Sequence, residues 1–380
     1  MDFNLSENQN MIKDTISNFA KKELTKELVQ EHDEEKKYPH ELYQKIAELG
    51  FLGLPFPEKY SGFGGTVLDM VILLEELSKG MIVLAGSYVH TVVFGGMSLM
   101  EYGSEEQKME YLPKIISGEK LFCLAITEPN AGSDISSITT TAVLDGDNYV
   151  INGAKTFITG AHVADYMVFG ARTNKDVPQY KGITMFIVPT SLPGIEIRPL
   201  DKLGMRAIGT NEVFLEDVRV PKENVMGGVD QGWKNLMRTF NNERCACAAV
   251  CVGASQAAID TVVQYVNERV QFGQPIGKFQ VVQHDLVDMQ MEVDNARLQS
   301  YRAAWLSHKG KSCSSETSMA KAYSAEVYRR VANQGMQLMG GYGYMMEYEL
   351  QRHYRDCKFW EIAGGTSHIQ RNIIAKEMGL

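Results

Sequence analysis

The sequence predicts an α+β multidomain protein in which helical segments at both ends flank a central β segment. At 380 residues the chain exceeds the usual size of one compact core and typically forms two or three domains. Apolar residues recur at helical spacing near both ends, whereas β-branched and aromatic runs alternate with turn residues between them. We therefore predict an N-terminal helical domain over residues 1–120, a middle β domain over 121–228 and a C-terminal helical bundle over 229–380.

The N-terminal domain is predicted to be helical because its apolar residues follow the helical period. In the segment from Glu7 to Lys22 these residues are Met11, Ile12, Ile16 and Phe19. A second, more apolar segment runs from Leu68 to Leu77. Pro55-Phe56-Pro57 and the glycine-rich stretch after it separate the two segments as loops.

The middle domain is predicted to consist of short strands. Asp145-Gly146-Asp147-Asn148 is typical of a hairpin turn between two of them. The strand candidates are Tyr149-Val150-Ile151, Phe157-Ile158, Met167-Val168-Phe169 and Thr184-Met185-Phe186-Ile187-Val188.

The C-terminal domain returns to the helical pattern, with longer segments. Long helices joined by short links favour a four-helix bundle. The predicted helices span residues 232–272, 280–308, 315–340 and 365–378.

Composition and charge exclude several function classes. The net charge of −9 argues against a nucleic-acid partner, which needs a basic face. No stretch approaches about 20 apolar residues, so we expect no membrane span. The opening Met1-Asp2-Phe3-Asn4-Leu5-Ser6 begins with an acid and does not resemble a signal peptide.

The six cysteines indicate reduced thiols rather than a metal site. They are scattered and form no Cys-x-x-Cys pair, so we expect no zinc or iron–sulfur ligation. Scattered free thiols are typical of a cytoplasmic protein.

One local segment carries chemistry of its own, Ala125-Ile126-Thr127-Glu128-Pro129-Asn130-Ala131-Gly132-Ser133-Asp134. It is predicted to be a strand that leaves into a turn, where backbone N–H and hydroxyl groups converge. Such a turn suits a polar heterocycle or a phosphate. The alternative is an ordinary loop.

Five motifs in the same order resemble those of the acyl-CoA dehydrogenases, and the match covers essentially the whole chain. They are Thr127-Glu128-Pro129, Phe157-Ile158-Thr159, Arg269-Val270-Gln271-Phe272-Gly273 with Phe279-Gln280, Gln337-Leu338-Met339-Gly340-Gly341-Tyr342-Gly343 before Arg355-Asp356, and Gly365-Thr366-Ser367. The resemblance implies a middle β-barrel domain, FAD as cofactor, a CoA thioester as substrate, an electron-transferring flavoprotein as partner, and a homotetramer.

The resemblance also implies roles for individual residues near the flavin ring. Ile126 and Thr127 would lie on its pyrimidine side, and Phe157 and Thr159 would flank it. Ser133 would sit between the flavin and the substrate phosphates. For Phe157 the alternative is simple core packing.

A second set is implied to hold the FAD diphosphate and adenine, in part across a subunit interface. Its members are Arg269, Phe272, Gln280, Gln337 and Gly341. The alternative for Phe272 is core packing, and for Arg269 it is a solvated helix end. The resemblance also assigns Thr366 to the cofactor, and Asn241, Arg244 and Gly365 to the substrate.

The catalytic base of most of the family is absent here. A Tyr-Glu pair usually precedes the Gly-Thr, and its Glu removes the α-proton; this chain has Ala363-Gly364 instead. Gly364 keeps the backbone N–H that the resemblance assigns to the thioester oxygen, while the other donor is a hydroxyl of the cofactor itself. The carboxylate must therefore come from elsewhere.

Some members of the family carry the base on the long helix that opens the C-terminal domain. Phe240-Asn241-Asn242-Glu243-Arg244 matches that arrangement, so Glu243 is the candidate acid/base group, with a raised pKa if it is buried. The small residues Cys245 to Ala249 favour a close approach of this helix to a ligand. The alternatives are a surface glutamate in a helical charge pair, or Glu361 as the base.

Glu243 together with Gly364-Gly365 resembles a bacterial enoyl-CoA reductase subgroup, the crotonobetainyl-CoA reductases, as does the opening Met1 to Leu5. Either direction, desaturation or reduction, is thus open. Two other readings remain: an oxidase of the same fold, and a silent paralogue that binds FAD or CoA without catalysis.

The acyl pocket is only indicated by an ungapped carry-over, which places Gly86 and His90 near its floor. Gly86 would leave room for a medium or aryl-bearing chain. A structural histidine with satisfied hydrogen bonds is the more frequent role of a residue such as His90.

Overall fold

The computed structural model describes residues 4–380, so Met1 to Phe3 of the opening segment lie outside the described residues. The N-terminal part of the chain is helical, and side chains cap the N-termini of several of its helices. Ser6 and Gln9 form a capping box at the start of α1, and Thr66 with Asp69 forms another at α4. The helices are α1 Glu7–Glu23, α2 Lys26–Glu34, α3 His40–Glu48, α4 Val67–Gly80, α5 Ile82–Tyr88, α6 Ser98–Tyr102 and α7 Glu105–Ile116.

A π-helical segment, Val89–Met97, joins α5 to α6. Runs of i→i+5 hydrogen bonds are rare and frequently mark functional sites. The segment packs against strand β1, where the Thr91 hydroxyl accepts from the Phe122 N–H at 3.2 Å. It therefore forms the wall between the N-terminal helices and the β domain.

Eight strands form one sheet between the helical parts, in the order β6-β7-β3-β2-β4-β5-β8, with β1 pairing in parallel with β4. Asp145 pairs with Asn148, so the predicted hairpin turn is confirmed with Gly146 and Asp147 at its tip. The strands are β1 Phe122–Ala125, β2 Thr141–Asp145, β3 Asn148–Thr159, β4 Tyr166–Arg172, β5 Ile183–Pro189, β6 Ile195–Pro199, β7 Thr210–Pro221 and β8 Val225–Met226.

The C-terminal part is built on α8, Gly232–Glu268, whose 37 residues span about 55 Å. The sequence predicts that this helix continues to residue 272, but it ends at Glu268. A two-stranded hairpin follows it, formed by β9 Val270–Gln271 and β10 Gln274–Pro275. The remaining helices are α9 Gln280–His308, α10 Ser314–Met339, α11 Leu350–Ile362 and α12 Ser367–Glu377.

Helix α8 belongs to two hydrophobic cores. Its first half packs with the N-terminal helices, and its second half packs with α9 and α10. At the crossing with α4, a Cβ atom on Gly253 would lie 2.0 Å from the Glu75 carbonyl oxygen. The small residues Cys245 to Ala249 are buried in the first core. Their small size allows the helices of this core to pack closely.

Two helical segments are long and apolar enough to cross a membrane, Ile82–Tyr102 and Gly232–Glu268. The expectation that no such stretch exists was therefore wrong. Most of each segment is buried inside the protein, 89% and 72% of the respective windows. Burial in the core accounts for their apolar composition.

Candidate active site

The Glu243 carboxyl lies against the loop that contains Gly364. A Cβ atom on Gly364 would lie 1.9 Å from Oε1 and 3.0 Å from Oε2 of Glu243. The distance to Oε1 is shorter than any non-bonded contact allows, and the distance to Oε2 is at the lower limit of such contacts. The Glu243 carboxyl thus occupies the space that a side chain at position 364 would need.

Glu243 is buried with an incomplete set of partners. Its side chain is 2% exposed, and the Cys247 thiol donates to Oε1 over 3.0 Å. Oε2 has no hydrogen-bond partner among residues 4–380. Burial raises the pKa of Glu243 above its ordinary value of 4.5, against the opposing effects of Cys247, Lys321 and Arg244. A surface charge pair, the alternative reading of Glu243, does not fit this burial.

The loop after α11 is held by side chains that bind its carbonyl oxygens. Gly364 and Gly365 adopt left-handed φ angles of +64° and +81°, which favour glycine. Nε2 of Gln370 donates to the two carbonyls at 3.0 and 2.9 Å, and Nζ of Lys321 donates to Gly365 at 2.8 Å. Within residues 4–380 the Gly364 N–H donates to no acceptor. It is a free donor beside the Glu243 carboxyl.

Arg244 is a buried cation next to this carboxyl. Its side chain donates to the Asn241 amide oxygen at 3.0 Å and lies near the Phe240 ring. It forms no ion pair with a carboxylate in the described part of the chain, and its Nε has no partner. A buried guanidinium without a counter-ion is suited to an anionic or carbonyl group of a ligand.

Glu361, the other candidate base, is engaged elsewhere. Nε of Arg329 donates to one carboxylate oxygen at 2.6 Å, and Lys358 binds the other. Burial raises the pKa of Glu361, but these two cations outweigh burial and lower it overall. A carboxylate fixed in two ion pairs is a poor proton acceptor.

The structure brings together the residues expected at the flavin ring. The Thr127 carbonyl accepts from the Thr156 N–H at 2.9 Å, which joins the turn after β1 to the end of β3, where Phe157 and Thr159 lie. Ile126 and Thr159 are buried.

Phe157 projects from this group in a strained conformation. Its φ is +58°, its ring is 67% exposed, and its backbone lies at an irregularity in the β3–β7 pairing. For a bulky residue, this region of φ costs about 1–3 kcal/mol of backbone strain. Strain of this kind is concentrated at functional sites. Core packing, the alternative reading of Phe157, was wrong.

A buried ion pair lies beneath the turn that carries Ile126 and Thr127. Nζ of Lys155 is 2.8 Å from Oε1 of Glu128 and 3.2 Å from the Ile126 carbonyl. Glu128 also accepts from the Thr139 N–H at 2.6 Å and the Thr140 N–H at 3.0 Å. Burial raises the pKa of Glu128, but Lys155 and these donors outweigh burial and hold it at about 2. This pair was not predicted from the sequence, because its partners are 27 residues apart.

Two further predicted residues lie at loop positions. Ser133 is exposed in the turn after Glu128. Thr366 caps α12, and its hydroxyl accepts from the Ile369 N–H at 3.2 Å. Because Gly364 and Gly365 are left-handed, this helix begins at Ser367, two residues later than predicted.

Two members of the second predicted set, Arg269 and Gly341, line a separate cavity of about 560 Å³ together with Tyr265, Gly340 and other residues. The Arg269 guanidinium stacks over the Tyr342 ring at 5.3 Å and forms no ion pair with a carboxylate among residues 4–380. The positions where Cβ atoms on Gly340 and Gly341 would lie are open. The cavity thus combines a free guanidinium with accessible backbone.

Phe272 stands at the tip of the β9–β10 hairpin. Phe272 and Gly273 have φ angles of +53° and +80°, as in a type I′ turn, and the Phe272 ring is 93% exposed. Core packing was therefore also wrong for Phe272. Gln280 and Gln337 are exposed nearby, at the start of α9 and the end of α10.

No hydrogen bond, ion pair or ring contact joins this second group to Ile126, Thr127, Phe157 or Thr159 within residues 4–380. The residues expected at the flavin ring and those expected at the FAD diphosphate and adenine therefore lie on separate surfaces of one chain.

The predicted pocket floor differs from expectation. Met205 Cε lies 3.2 Å from the Cβ position of Gly86, so Met205 fills the room expected there. His90 lies in the π-helical segment, and its Nδ1 is buried without a partner in the described residues. Burial and Lys202 lower the pKa of His90 to about 4, so its ring is neutral at physiological pH. It is not a histidine with satisfied hydrogen bonds.

Domain models of the acyl-CoA dehydrogenase family match almost the whole chain. The N-terminal domain model matches residues 6–119, the middle domain model residues 123–218 and the C-terminal domain model residues 230–379.

Individual relatives extend over the full length. The chain is 42% identical over 380 residues to the probable acyl-CoA dehydrogenase YngJ of Bacillus subtilis, covering all of both chains. It is 38% identical over 371 residues to CarC, a subunit of the caffeyl-CoA reductase–Etf complex of Acetobacterium woodii, covering 97% and 98% of the two chains. The structure of butyryl-CoA dehydrogenase from Megasphaera elsdenii is similar with a TM-score of 0.96 at 36% identity, covering all of both chains.

Proposed function

Because the chain belongs to the acyl-CoA dehydrogenase family, we propose that it interconverts an acyl-CoA and its 2,3-enoyl-CoA with FAD, and that Glu243 is its acid/base group. One observation carries the second part of this proposal. The Glu243 carboxyl fills the space that a side chain at position 364 would occupy, where most of the family has its catalytic glutamate. The acid/base carboxyl thus comes from α8 instead of the C-terminal loop, and it lies at the same position in the site.

The residues present fit FAD. The rings of Phe157 and Phe272 are exposed on strained backbone, and Phe272 meets the Phe279 ring edge-on at 6.1 Å. Exposed aromatic side chains of this kind suit a planar heterocycle. Arg269 and the open backbone of Gly340 and Gly341 suit a diphosphate. The chemistry that bound FAD would supply is hydride transfer to or from the β-carbon of the thioester.

Glu243 moves the proton at the α-carbon. In desaturation its carboxylate removes the α-proton, and in reduction its protonated form supplies it. A raised pKa keeps the protonated form available at higher pH and makes the carboxylate a stronger base. Both directions are therefore compatible with this one buried carboxyl.

The Gly364 N–H stabilises the charge that develops on the thioester oxygen. It is free of other acceptors in the described residues and adjoins the Glu243 carboxyl. A preorganised donor at a developing oxyanion contributes about 2.7–4 kcal/mol of transition-state stabilisation. Gly365, next in the loop, is proposed to contact the same end of the substrate.

Arg244, Asn241 and Ser133 are proposed to bind the CoA part of the substrate. Arg244 is a buried cation without a counter-ion, and Asn241 orients it. Ser133 is exposed where the turn after β1 faces solvent.

We also propose an electron-transferring flavoprotein as redox partner and a cytoplasmic homotetramer as the working form. The CarC relative is named as a subunit of an Etf complex. Met291, Leu298 and Trp305 are exposed at seven-residue spacing along α9, which supports a covered face in an oligomer. The separation of the two cofactor-binding groups supports a site completed by a second copy.

Gly364→Ala is expected to lower activity by about 10–100-fold, because its Cβ displaces the Glu243 carboxyl and a shift of about 1 Å has that cost. The measurement is kcat with butyryl-CoA and an artificial electron acceptor. Gly310→Ala is the matched control: Gly310 has a φ of +63° and an open Cβ position, so it tests backbone strain alone. Equal losses in the two variants would refute the collision as the cause.

Anaerobic addition of a CoA thioester tests the function. Butyryl-CoA is expected to bleach the absorbance of the oxidised enzyme, and crotonyl-CoA or cinnamoyl-CoA is expected to restore it in enzyme reduced beforehand. Peroxide formation in air at the rate of turnover would favour an oxidase. Failure of both bleaching and recovery with short, medium and aryl thioesters would favour a silent paralogue.

A further inference from the structure

Lys321 is a buried lysine that the proposed mechanism does not use. It lies on α10, its side chain is 1% exposed, and its one hydrogen bond in the described chain goes from Nζ to the Gly365 carbonyl at 2.8 Å. It forms no ion pair within 4.0 Å of a carboxylate among residues 4–380. Burial of an ammonium group costs several kcal/mol unless nearby groups compensate. Glu243 is the carboxyl group that acts on it, since burial keeps the thiols of Cys247 and Cys251 protonated.

Cys247 is the one side chain among residues 4–380 that donates a hydrogen bond to the Glu243 carboxyl. It lies four residues further along α8, so the two side chains share a helix face. Its thiol donates to Oε1 at 3.0 Å. Burial raises the pKa of Cys247 well above its usual range, so it stays a protonated donor. A donor to the carboxylate favours the charged form of Glu243.

Lys321 also binds the loop that lies against Glu243. Its hydrogen bond to the Gly365 carbonyl fixes the peptide between Gly365 and Thr366, next along the loop from Gly364, whose N–H is the proposed donor to the substrate. Gln370 donates to the carbonyls of Gly364 and Gly365, so two side chains hold the loop. Of these two side chains, Lys321 is the charged one.

We propose that Lys321 and Cys247 are positioning residues that stabilise the carboxylate form of Glu243, and that Lys321 also holds the Gly364 amide in place. This inference rests on the proposed function, because it takes Glu243 as the acid/base group.

The groups that face Glu243 determine the sign of the effect. Arg244 and Cys247 act from its own helix and Lys321 acts from α10. From α11, Glu361 and Cys357 act on Cys251, one turn further along α8. The loop 363–366 contributes no titratable side chain. Burial raises the pKa of Glu243, and Cys247 and Lys321 oppose this effect. Removal of Lys321 or of the Cys247 thiol therefore raises this pKa further, and the midpoint of Glu243 titration moves to higher pH.

The test is α-proton exchange of a CoA thioester that cannot be desaturated, 3-thiabutyryl-CoA, in deuterium oxide. Mass spectrometry gives the exchange rate of the holoenzyme across pH. In Lys321→Met the midpoint is expected to rise by about one pH unit, and exchange below the midpoint to slow about tenfold. Cys247→Ala is expected to raise the midpoint by a smaller amount. Lys321→Arg and Cys247→Ser keep a hydrogen-bond donor, so their midpoints are expected to lie closer to that of the wild type.

Cys251→Ala is the matched control, because it removes a buried thiol from the same helix without a bond to Glu243. It is expected to leave the midpoint unchanged. A purely structural role would slow exchange in Lys321→Met by the same factor at every pH, and that result would overturn the inference. An equal shift in Cys251→Ala would overturn it too.

The two reaction directions give a second readout. Lys321→Met is expected to slow butyryl-CoA oxidation below the midpoint and to leave crotonyl-CoA reduction less affected, since reduction needs the protonated form. Equal losses in both directions would also overturn the inference. If Glu243→Gln retains full exchange, the proposed function fails; if it abolishes exchange while Lys321→Met and Cys247→Ala keep the wild-type midpoint, only the present inference fails.

Discussion

Glu243→Gln is expected to lower turnover with butyryl-CoA by about 10²–10⁴-fold. The amide keeps the shape of the side chain but cannot accept the α-proton, and the carboxyl that it replaces is the one that lies against Gly364. The measurement is the rate of anaerobic bleaching in a stopped-flow instrument. Thioester binding is expected to persist, because the loss falls on the proton-transfer step.

Glu361→Gln is the control for this variant. Glu361 is a buried carboxylate in the same region, yet Arg329 and Lys358 occupy both of its oxygens. Its replacement is expected to change the bleaching rate by no more than a few-fold. If Glu361→Gln were the slow variant and Glu243→Gln the fast one, the assignment of the base to α8 would be wrong.

Lys155→Met is expected to destabilise the enzyme by about 3–5 kcal/mol, the cost of leaving one partner of a buried ion pair uncompensated. Glu128 would remain charged and buried beneath the Ile126–Thr127 turn. The double variant Lys155→Met/Glu128→Gln is expected to recover part of the loss, because the amide oxygen still accepts from Thr139 or Thr140 without a charge. Urea unfolding at matched protein concentration gives the comparison.

The acid dependence follows from the lowered pKa of Glu128. Its folded-state pKa of about 2 lies below the ordinary 4.5, so its contribution is fully present above 4.5 and is lost as pH falls toward 2. Lys155→Met raises the folded-state pKa and so removes this acid-dependent part. Lys222→Met is the control: its partner Asp147 is exposed, and the unfolding midpoint is expected to stay the same. Equal midpoint shifts for the two lysines would contradict the role of burial.

Local signals allowed much of the fold to be predicted. Helix α1 and the β2–β3 hairpin carry their caps, period and turn residues within a few positions, and both were predicted correctly. Helix α11 was missed although Leu350, Cys357 and Trp360 follow the helical spacing, because most of the other residues on its buried face, such as His353 and Asp356, are polar. Strand β7 was missed because its long pairing is with β3, about 60 residues earlier, and tertiary contacts decide it.

The site was predictable where a motif kept its spacing and not where helices cross. Glu243 and Gly364 were identified 121 positions apart by resemblance alone, and their contact required the structure. Lys321 was missed, although one signal was available: it stands between Ala320 and Ala322, a lysine among small residues of the kind that favour close helix packing. Cys247 was noted for its small size, whereas its thiol hydrogen bond is the property that matters at the site.

A crystal structure of the holoenzyme with bound 3-thiabutyryl-CoA tests the central claim most directly. The account predicts a Glu243 carboxylate oxygen at about 3–3.5 Å from the thioester α-carbon, with the Gly364 N–H donating to the thioester oxygen. An α-carbon that faces another carboxylate, or that has none within reach while Glu243 points away from the ligand, would contradict it.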